Sequence, residues 1–245
     1  MAPSDYSGLV RKAVILAAGR GTRLESRTGG LPKPMIEIGG RPMIEHVLDR
    51  LRRAGIESAR IVTGWRAEAI ERYLPGYPME ISFRRQEPLD GTATAALLAR
   101  DFIGPGEGFL LTYGDILADP DDYRAMAAML DGDPDADAVV AVQRVDDPWQ
   151  GAAVYERDGR LTAIVEKPPP GASTTPWNSA GIYAFRPGVF DEMARVPLSP
   201  RGEYELTSAV SQSIAAGRKL LLYALRGRWR DVGRPEDLDA AGEML

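Results

Sequence analysis

Apolar runs of strand length alternate with apolar stripes of helical spacing from residue 13 to residue 142, and no other feature constrains the fold as much. The runs cover residues 13–18, 59–64, 80–85, 109–112 and 138–142. Between them, Ile44, Val47, Leu48 and Leu51 recur at helical spacing, as do Tyr123, Met126, Ala127 and Leu130. Residues 66–74 and 92–102 read as two further helices. Strand–helix–strand order lays successive strands side by side in one direction, with helices on both faces of the sheet. The chain is long enough, at 245 residues, to bury such a core as one α/β domain.

Local signals refine this outline. Residues 34–38 read as a short strand ended by Gly39-Gly40, Pro42 suits a first helical turn, and Gly55 closes the helix that follows. After residue 142 the pattern changes. Residues 152–156, 161–166 and 180–185 are short strands separated by turns such as Arg157-Asp-Gly-Arg160, which suits antiparallel pairing beside the main sheet. Residues 203–216 form a helix, 219–224 a last strand and 235–245 a closing helix, while the acidic segment 131–137 reads as a solvated loop.

Composition removes several chemistries. There is no cysteine, so disulfides, thiolate metal sites and cysteine nucleophiles are excluded. The one histidine, His46, falls off its helix's apolar stripe and reads as a solvated position rather than a catalytic base. A net charge of -5 with no basic block argues against nucleic-acid or membrane-surface binding. No run approaches the roughly 20 apolar residues of a membrane span. The first residues carry no export signal, so a cytoplasmic protein is expected.

The residues suited to chemistry sit at strand ends. The first strand runs into Gly19-Arg-Gly-Thr-Arg23, and Lys33 follows in Leu31-Pro-Lys-Pro34. Glycines let backbone N–H groups converge on an anion, and two cations neutralise it. The loop is neither a P-loop nor a dinucleotide fingerprint, because no Gly-Lys-Ser/Thr follows and Leu24 stands at the third glycine position. Asp115 follows the strand 109–112, where a carboxylate holds Mg2+ against phosphate or caps the next helix. Asp231 is likewise a cation ligand, or a turn or cap residue ahead of the helix at Pro235. Glu166-Lys167 is a surface pair or a contact to a second anionic substrate, and Asn178 with Gly181 offers a polar contact and a close backbone approach. Gln86 with Gly91-Thr92 presents an amide and backbone groups to a nucleobase, or punctuates a strand-to-helix turn.

Taken in order, these pieces resemble the sugar-1-phosphate nucleotidylyltransferases, the NDP-sugar pyrophosphorylases. Leu16-Ala-Ala-Gly-Arg-Gly-Thr-Arg-Leu24 with Pro32-Lys-Pro34 is similar to the signature loop, and Gln86 with Gly91-Thr-Ala93 to the base-binding segment. Gly114-Asp115, Glu166-Lys-Pro168, Asn178 with Gly181-Ile-Tyr183, and Trp229-Arg-Asp-Val-Gly233 complete the set. The resemblance implies a Rossmann-like, mostly parallel mixed sheet with helices on both faces and a small antiparallel sugar-binding subregion. It implies one catalytic domain over residues 1–245, with no hexapeptide-repeat domain after it. The implied reaction is attack of a sugar 1-phosphate oxygen on the α-phosphorus of a nucleoside triphosphate, with release of pyrophosphate.

The resemblance also implies roles. Arg23 braces the leaving phosphates, Lys33 the α-phosphate, and Asp115 and Asp231 hold Mg2+. Leu16, Ala18, Gly19, Gly21, Thr22, Gln86, Gly91 and Thr92 contact the nucleotide. Lys167 seats the sugar phosphate, with Glu166, Asn178 and Gly181 facing the sugar. Gly29-Gly30 in the loop and Arg234 after the last glycine depart from the usual pattern. Residues 199–207 resemble a stretch of uridylyl- and thymidylyl-transferring members, which favours UTP or dTTP, with GTP compatible. The rivals are a cytidylyltransferase acting on a polyol phosphate such as inositol phosphate, and a non-catalytic regulatory subunit that binds nucleotide sugars. Homo-oligomerisation is left open.

Overall fold

In the computed structural model, residues 9–21 and 29–245 are described, so Thr22 and Arg23 lie outside the described residues. Strand β1 (Lys12–Ala17) pairs in parallel with β4 (Ser58–Thr63) and β6 (Phe109–Tyr113), and β4 pairs in parallel with β5 (Glu80–Arg85). Next comes β11 (Trp177–Phe185), antiparallel to both β6 and β8 (Ala136–Arg144). Strand β12 (Lys219–Ala224) lies parallel to β8, and the hairpin of β9 (Ala152–Arg157) and β10 (Arg160–Glu166) closes the nine-stranded sheet. The expected mostly parallel mixed sheet is therefore present. Its hairpin turns at Asp158 and Gly159, both at positive φ.

Alternation along β1 divides the core in two, as a pleated strand covered on both faces requires. Ala13, Ile15 and Ala17 face a layer built with α1 (Met43–Arg53), α2 (Ala67–Tyr73) and α4 (Pro120–Asp131). Val14 and Leu16 face the opposite layer, with α3 (Thr92–Leu97), α5 (Val189–Met193) and α6 (Leu206–Ala215). Among the described residues, no helix is long and apolar enough to cross a membrane.

Five expectations are corrected. His46 is buried, and its Nε2 lies 2.8 Å from the Ile38 carbonyl. The small hairpin of β2 (Glu37–Ile38) and β3 (Arg41–Pro42) covers that flank of α1, so His46 is a structural contact. Lys33–Met35 is a 3-10 turn rather than strand, and the helix expected over 92–102 divides into α3 and a 3-10 turn at Arg100–Phe102. The acidic segment 131–137 is tied down: Asp133 pairs with Lys219 and Asp137 with Arg218. Finally, Asp231 is not in a turn. It ends a strand, β13 (Trp229–Asp231), which pairs antiparallel with β7 (Ile116–Ala118) in a separate two-stranded ribbon; α7 (Pro235–Gly242) follows.

Candidate active site

The C-terminal ends of β1, β5 and β6 open onto a cleft of about 420 Å³ lined by Leu16, Ala18, Gly19, Gly21, Lys33, Gln86, Gly91 and Thr92. Ligands of open α/β sheets bind at this end of the strands. The backbone there is already committed to the fold. The Leu16 carbonyl accepts from Gly114 N–H at 2.9 Å, and the Ala18 carbonyl from Trp65 N–H at 3.0 Å. Gly21 has φ +64°, and a Cβ on it would stand 2.6 Å from Lys33 Cβ, so glycine is what lets Lys33 lie against the loop.

Lys33 is the cationic centre of the cleft. Its Nζ donates to Asp115 Oδ2 at 2.5 Å and lies 3.8 Å from Asp231 Oδ1. Neither aspartate caps a helix. Asp119 caps α4 by accepting Asp121 N–H at 2.9 Å, and the amides ahead of α7 are held by Asp237. The ribbon of β7 and β13 brings the two aspartates together across a long sequence gap, pairing Asp231 with Ile116.

Beyond them a larger cleft of about 1170 Å³ shares Tyr113, Asp115 and Gly233 with the first. It is lined by Glu166, Lys167, Asn178 and Gly181 from the antiparallel strands, with Gln150 and Arg234. Strand β11 slips in register against β8 between Ser179 and Tyr183, and Gly181 sits in that bulge at φ +71°. A Cβ there would stand 2.4 Å from Ile116 Cδ1. Asn178 Oδ1 is buried without a partner, an acceptor suited to a ligand hydroxyl. Lys167 is exposed at φ +42°, and its N–H donates to the Gly151 carbonyl at 2.7 Å.

Glu166 is not the surface pair that its neighbour Lys167 suggests. It is half-buried, accepting from Arg201 at 3.1 Å and Thr207 Oγ1 at 3.2 Å. Burial raises its carboxyl pKa above the usual range, and nearby Glu205 adds to the rise. A carboxyl whose folded pKa is raised costs stability as pH climbs from the unfolded value through the folded one, and nothing below it. The variant Glu166→Gln is thus expected to gain thermal stability relative to the parent as pH rises from about 4 to 7. Unfolding curves across that pH range check the sign.

Gln86, Arg201 and Tyr113 show what sequence reading misses. Gln86 is buried, and its Nε2 donates to the Gly91 carbonyl at 2.7 Å and Thr94 Oγ1 at 3.0 Å, with Asp90 Oδ1 at 3.3 Å. The carbonyl and carboxylate only accept, so the amide nitrogen must face them and the amide oxygen is left for a ligand. Thr92 is also engaged, its Oγ1 accepting Leu206 N–H at 2.8 Å. Tyr113 forms the wall common to both clefts, and burial holds its hydroxyl protonated well above its ordinary range. Arg201, singled out by no spacing, meets Glu166, Glu203 and Glu205.

A glycine-loop cleft with a cation, two convergent carboxylates and an adjoining polar cleft is an arrangement suited to joining two phosphorylated substrates. Known proteins resemble the chain in sequence and fold. The chain is 35% identical over 230 residues to the bifunctional protein GlmU of Methanococcus maripaludis, covering 94% of this chain and 53% of that protein. It thus spans about half the length of the GlmU relatives it matches. It is 34% identical over 242 residues to the UTP–glucose-1-phosphate uridylyltransferase AglF of Haloferax volcanii, covering 96% of each. A UDP-glucose pyrophosphorylase complexed with UDP-glucose has the same fold, with a TM-score of 0.85 at 23% identity over 96% of this chain and 98% of that one. The family model for nucleotidyl transferases matches residues 12–245, from β1 through α7 and across every element that builds the two clefts, and the chain belongs to the nucleotidyl transferase family.

Proposed function

We propose that residues 12–245 act as one catalytic unit that transfers a nucleotidyl group from a nucleoside triphosphate to a sugar 1-phosphate, releasing pyrophosphate. The observation that carries this reading is the meeting of Lys33, Asp115 and Asp231 where the two clefts join. The triphosphate occupies the glycine-loop cleft, and the acceptor lies on the side of Glu166, Lys167, Asn178 and Gly181. The acceptor phosphate is already an anion and needs no general base, so the protein's work is alignment and charge stabilisation. Lys33 neutralises charge growing on the α-phosphate, Lys167 holds the sugar phosphate, and Arg23 braces the departing phosphates. Cytoplasmic nucleotide pools would supply the triphosphate, and we place the reaction there.

The donor set fits a divalent cation, Mg2+ in our reading. Among the described residues no three His, Cys, Asp or Glu side chains cluster to bind a metal unaided. Two carboxylates already converge on one cationic group, and Mg2+ is commonly held by one or two carboxylates with substrate phosphates completing its shell. Asp115 and Asp231 would hold it, and its chemistry there is positive charge against phosphate oxygens.

Gln86 favours uracil or thymine as the base. Its free acceptor oxygen suits the ring N–H that uracil and thymine carry and cytosine lacks. A matrix of four triphosphates against several sugar and polyol phosphates, read by pyrophosphate release with Mg2+, tests the reading. Turnover with UTP or dTTP and a hexose 1-phosphate is expected, at least a hundredfold above CTP with inositol phosphate. Preference for CTP would make it a cytidylyltransferase, and nucleotide-sugar binding without turnover would make it a regulatory subunit.

A further inference from the structure

Asp231 rides on a short support. Strand β13 has three residues, pairs only with the equally short β7, and is separate from the nine-stranded sheet. A two-stranded ribbon of that length is marginal by itself. Yet a cation ligand must be held to within a few tenths of an ångström. Two carboxylates outside the ribbon meet that need. Ahead of β13, Asp122 on α4 is buried at 2% exposure. Its Oδ1 accepts Arg226 N–H at 3.0 Å and Tyr223 Oη–H at 2.9 Å, and its Oδ2 accepts Gly227 N–H at 3.0 Å. After β13, Asp237 on α7 accepts Gly233 N–H at 3.0 Å and Arg234 N–H at 2.8 Å through Oδ2.

Each carboxylate thus grips two consecutive amides, one pair on either side of the strand. Charge-assisted bonds of this kind are stronger than neutral ones, and no water need compete at Asp122. The fit at the first clamp is close, because a Cβ on Gly227 would stand 2.3 Å from Asp119 Cβ. The Trp229 indole N–H donates to the Ala180 carbonyl at 2.9 Å, so the same strand is fastened to the β11 bulge that lines the acceptor cleft.

We infer that Asp122 and Asp237 are positioning residues that fix the reach of Asp231 toward Asp115 and Lys33. The inference rests on the reading of Asp231 as a cation ligand. Asp122 uses both oxygens, so Asp122→Asn keeps side-chain volume but turns an amide NH2 toward an amide donor; at Asp237 one oxygen holds both amides, and Asp237→Ala, which removes that acceptor, opens the second clamp.

The test measures Mn2+ binding to the full chain by electron paramagnetic resonance, beside the Mg2+ concentration that half-activates pyrophosphate release. Each variant is expected to weaken Mn2+ binding and to raise the half-activating Mg2+ about tenfold, with the triphosphate KM within about threefold. Tyr223→Phe, which removes one bond to Asp122 and no carboxylate, is expected to give a smaller shift of the same sign and serves if Asp122→Asn does not fold. Asp137→Asn is the structural control: that carboxylate accepts Lys219 N–H at 2.9 Å at the far end of β12, and its loss should lower Tm without moving Mn2+ binding. Asp231→Asn separates the two claims. If it weakens Mn2+ binding while Asp122→Asn, Asp237→Ala and Tyr223→Phe do not, the clamp is overturned and the proposed function stands. If Asp231→Asn leaves Mn2+ binding unchanged, Asp231 is no ligand and the inference falls with that reading. A loss of Mn2+ affinity in Asp137→Asn equal to that in the clamp variants would also overturn it.

Discussion

Replacing Asp115 by asparagine is expected to lower kcat about a thousandfold while the protein remains folded. The carboxylate lies at the junction of the two clefts and accepts from Lys33 Nζ at 2.5 Å, and under the proposed function it would hold the divalent cation beside the lysine that faces the reacting phosphate. Removing one preorganised charge-stabilising group from such a site typically costs ~10²–10³ in turnover, and loss of a cation ligand puts this variant at the upper end. The effect on stability should be small. The pair is partly exposed, and Lys33 keeps Asp231 at 3.8 Å, so a loss near 1 kcal/mol and a Tm drop of about 2–4 °C are expected. Asp231→Asn should cost less, about ten- to a hundredfold, because its side chain is 56% exposed and farther from Lys33. Steady-state kinetics across Mg2+ concentrations with parallel unfolding curves measure both. An Asp115→Asn enzyme within threefold of the parent would reduce Asp115 to a counter-ion for Lys33.

What the sequence reveals and what it hides follow from the range over which each signal acts. Strands β1, β4, β5, β6 and β8 and the helices between them declare themselves through local periodicity, and the cleft at their C-terminal ends is where Lys33, Gln86 and Asp115 are found. Strands of three residues carry no periodicity. The ribbon of β7 with β13 exists only through pairing of residues 116–118 with 229–231, so a local reading leaves Asp231 divided between a cation ligand and a turn or cap residue. His46 is misread for a related reason: an apolar stripe reports the helix face turned to the sheet, while the second cover comes from the β2–β3 hairpin. The burial of Glu166 depends on Arg201, Glu205 and Thr207, which approach from a different part of the chain. Gln86 is found by its motif, but which end of its amide faces the ligand emerges only from the acceptors packed against its nitrogen.

Gly91→Ala is the second change with a large expected effect, and its cause is backbone rather than charge. Gly91 sits at φ +144° and ψ 172°, a region that side-chain-bearing residues scarcely enter, at a cost of roughly 1–3 kcal/mol. A Cβ there would also stand 2.3 Å from the Tyr204 carbonyl oxygen and 2.4 Å from its nitrogen. The chain has no room to yield. Tyr204 N–H donates to the Asp90 carbonyl and Ala93 N–H to the Tyr204 carbonyl, both at 2.8 Å, so the two segments are laced together on either side of the glycine. Pushing them apart moves the Gly91 carbonyl that orients Gln86 and the Thr92 hydroxyl that caps α6. A destabilisation of about 3 kcal/mol is therefore expected, together with at least a tenfold rise in the triphosphate KM. Gly76→Ala separates strain from site geometry. Gly76 has φ +93° with open space around its Cβ position, and it precedes the N-terminal end of β5, opposite the clefts. It should lose about 1 kcal/mol and leave KM unchanged. Equal KM values in the two variants would show that the turn at Gly91 supports the fold and not the nucleotide.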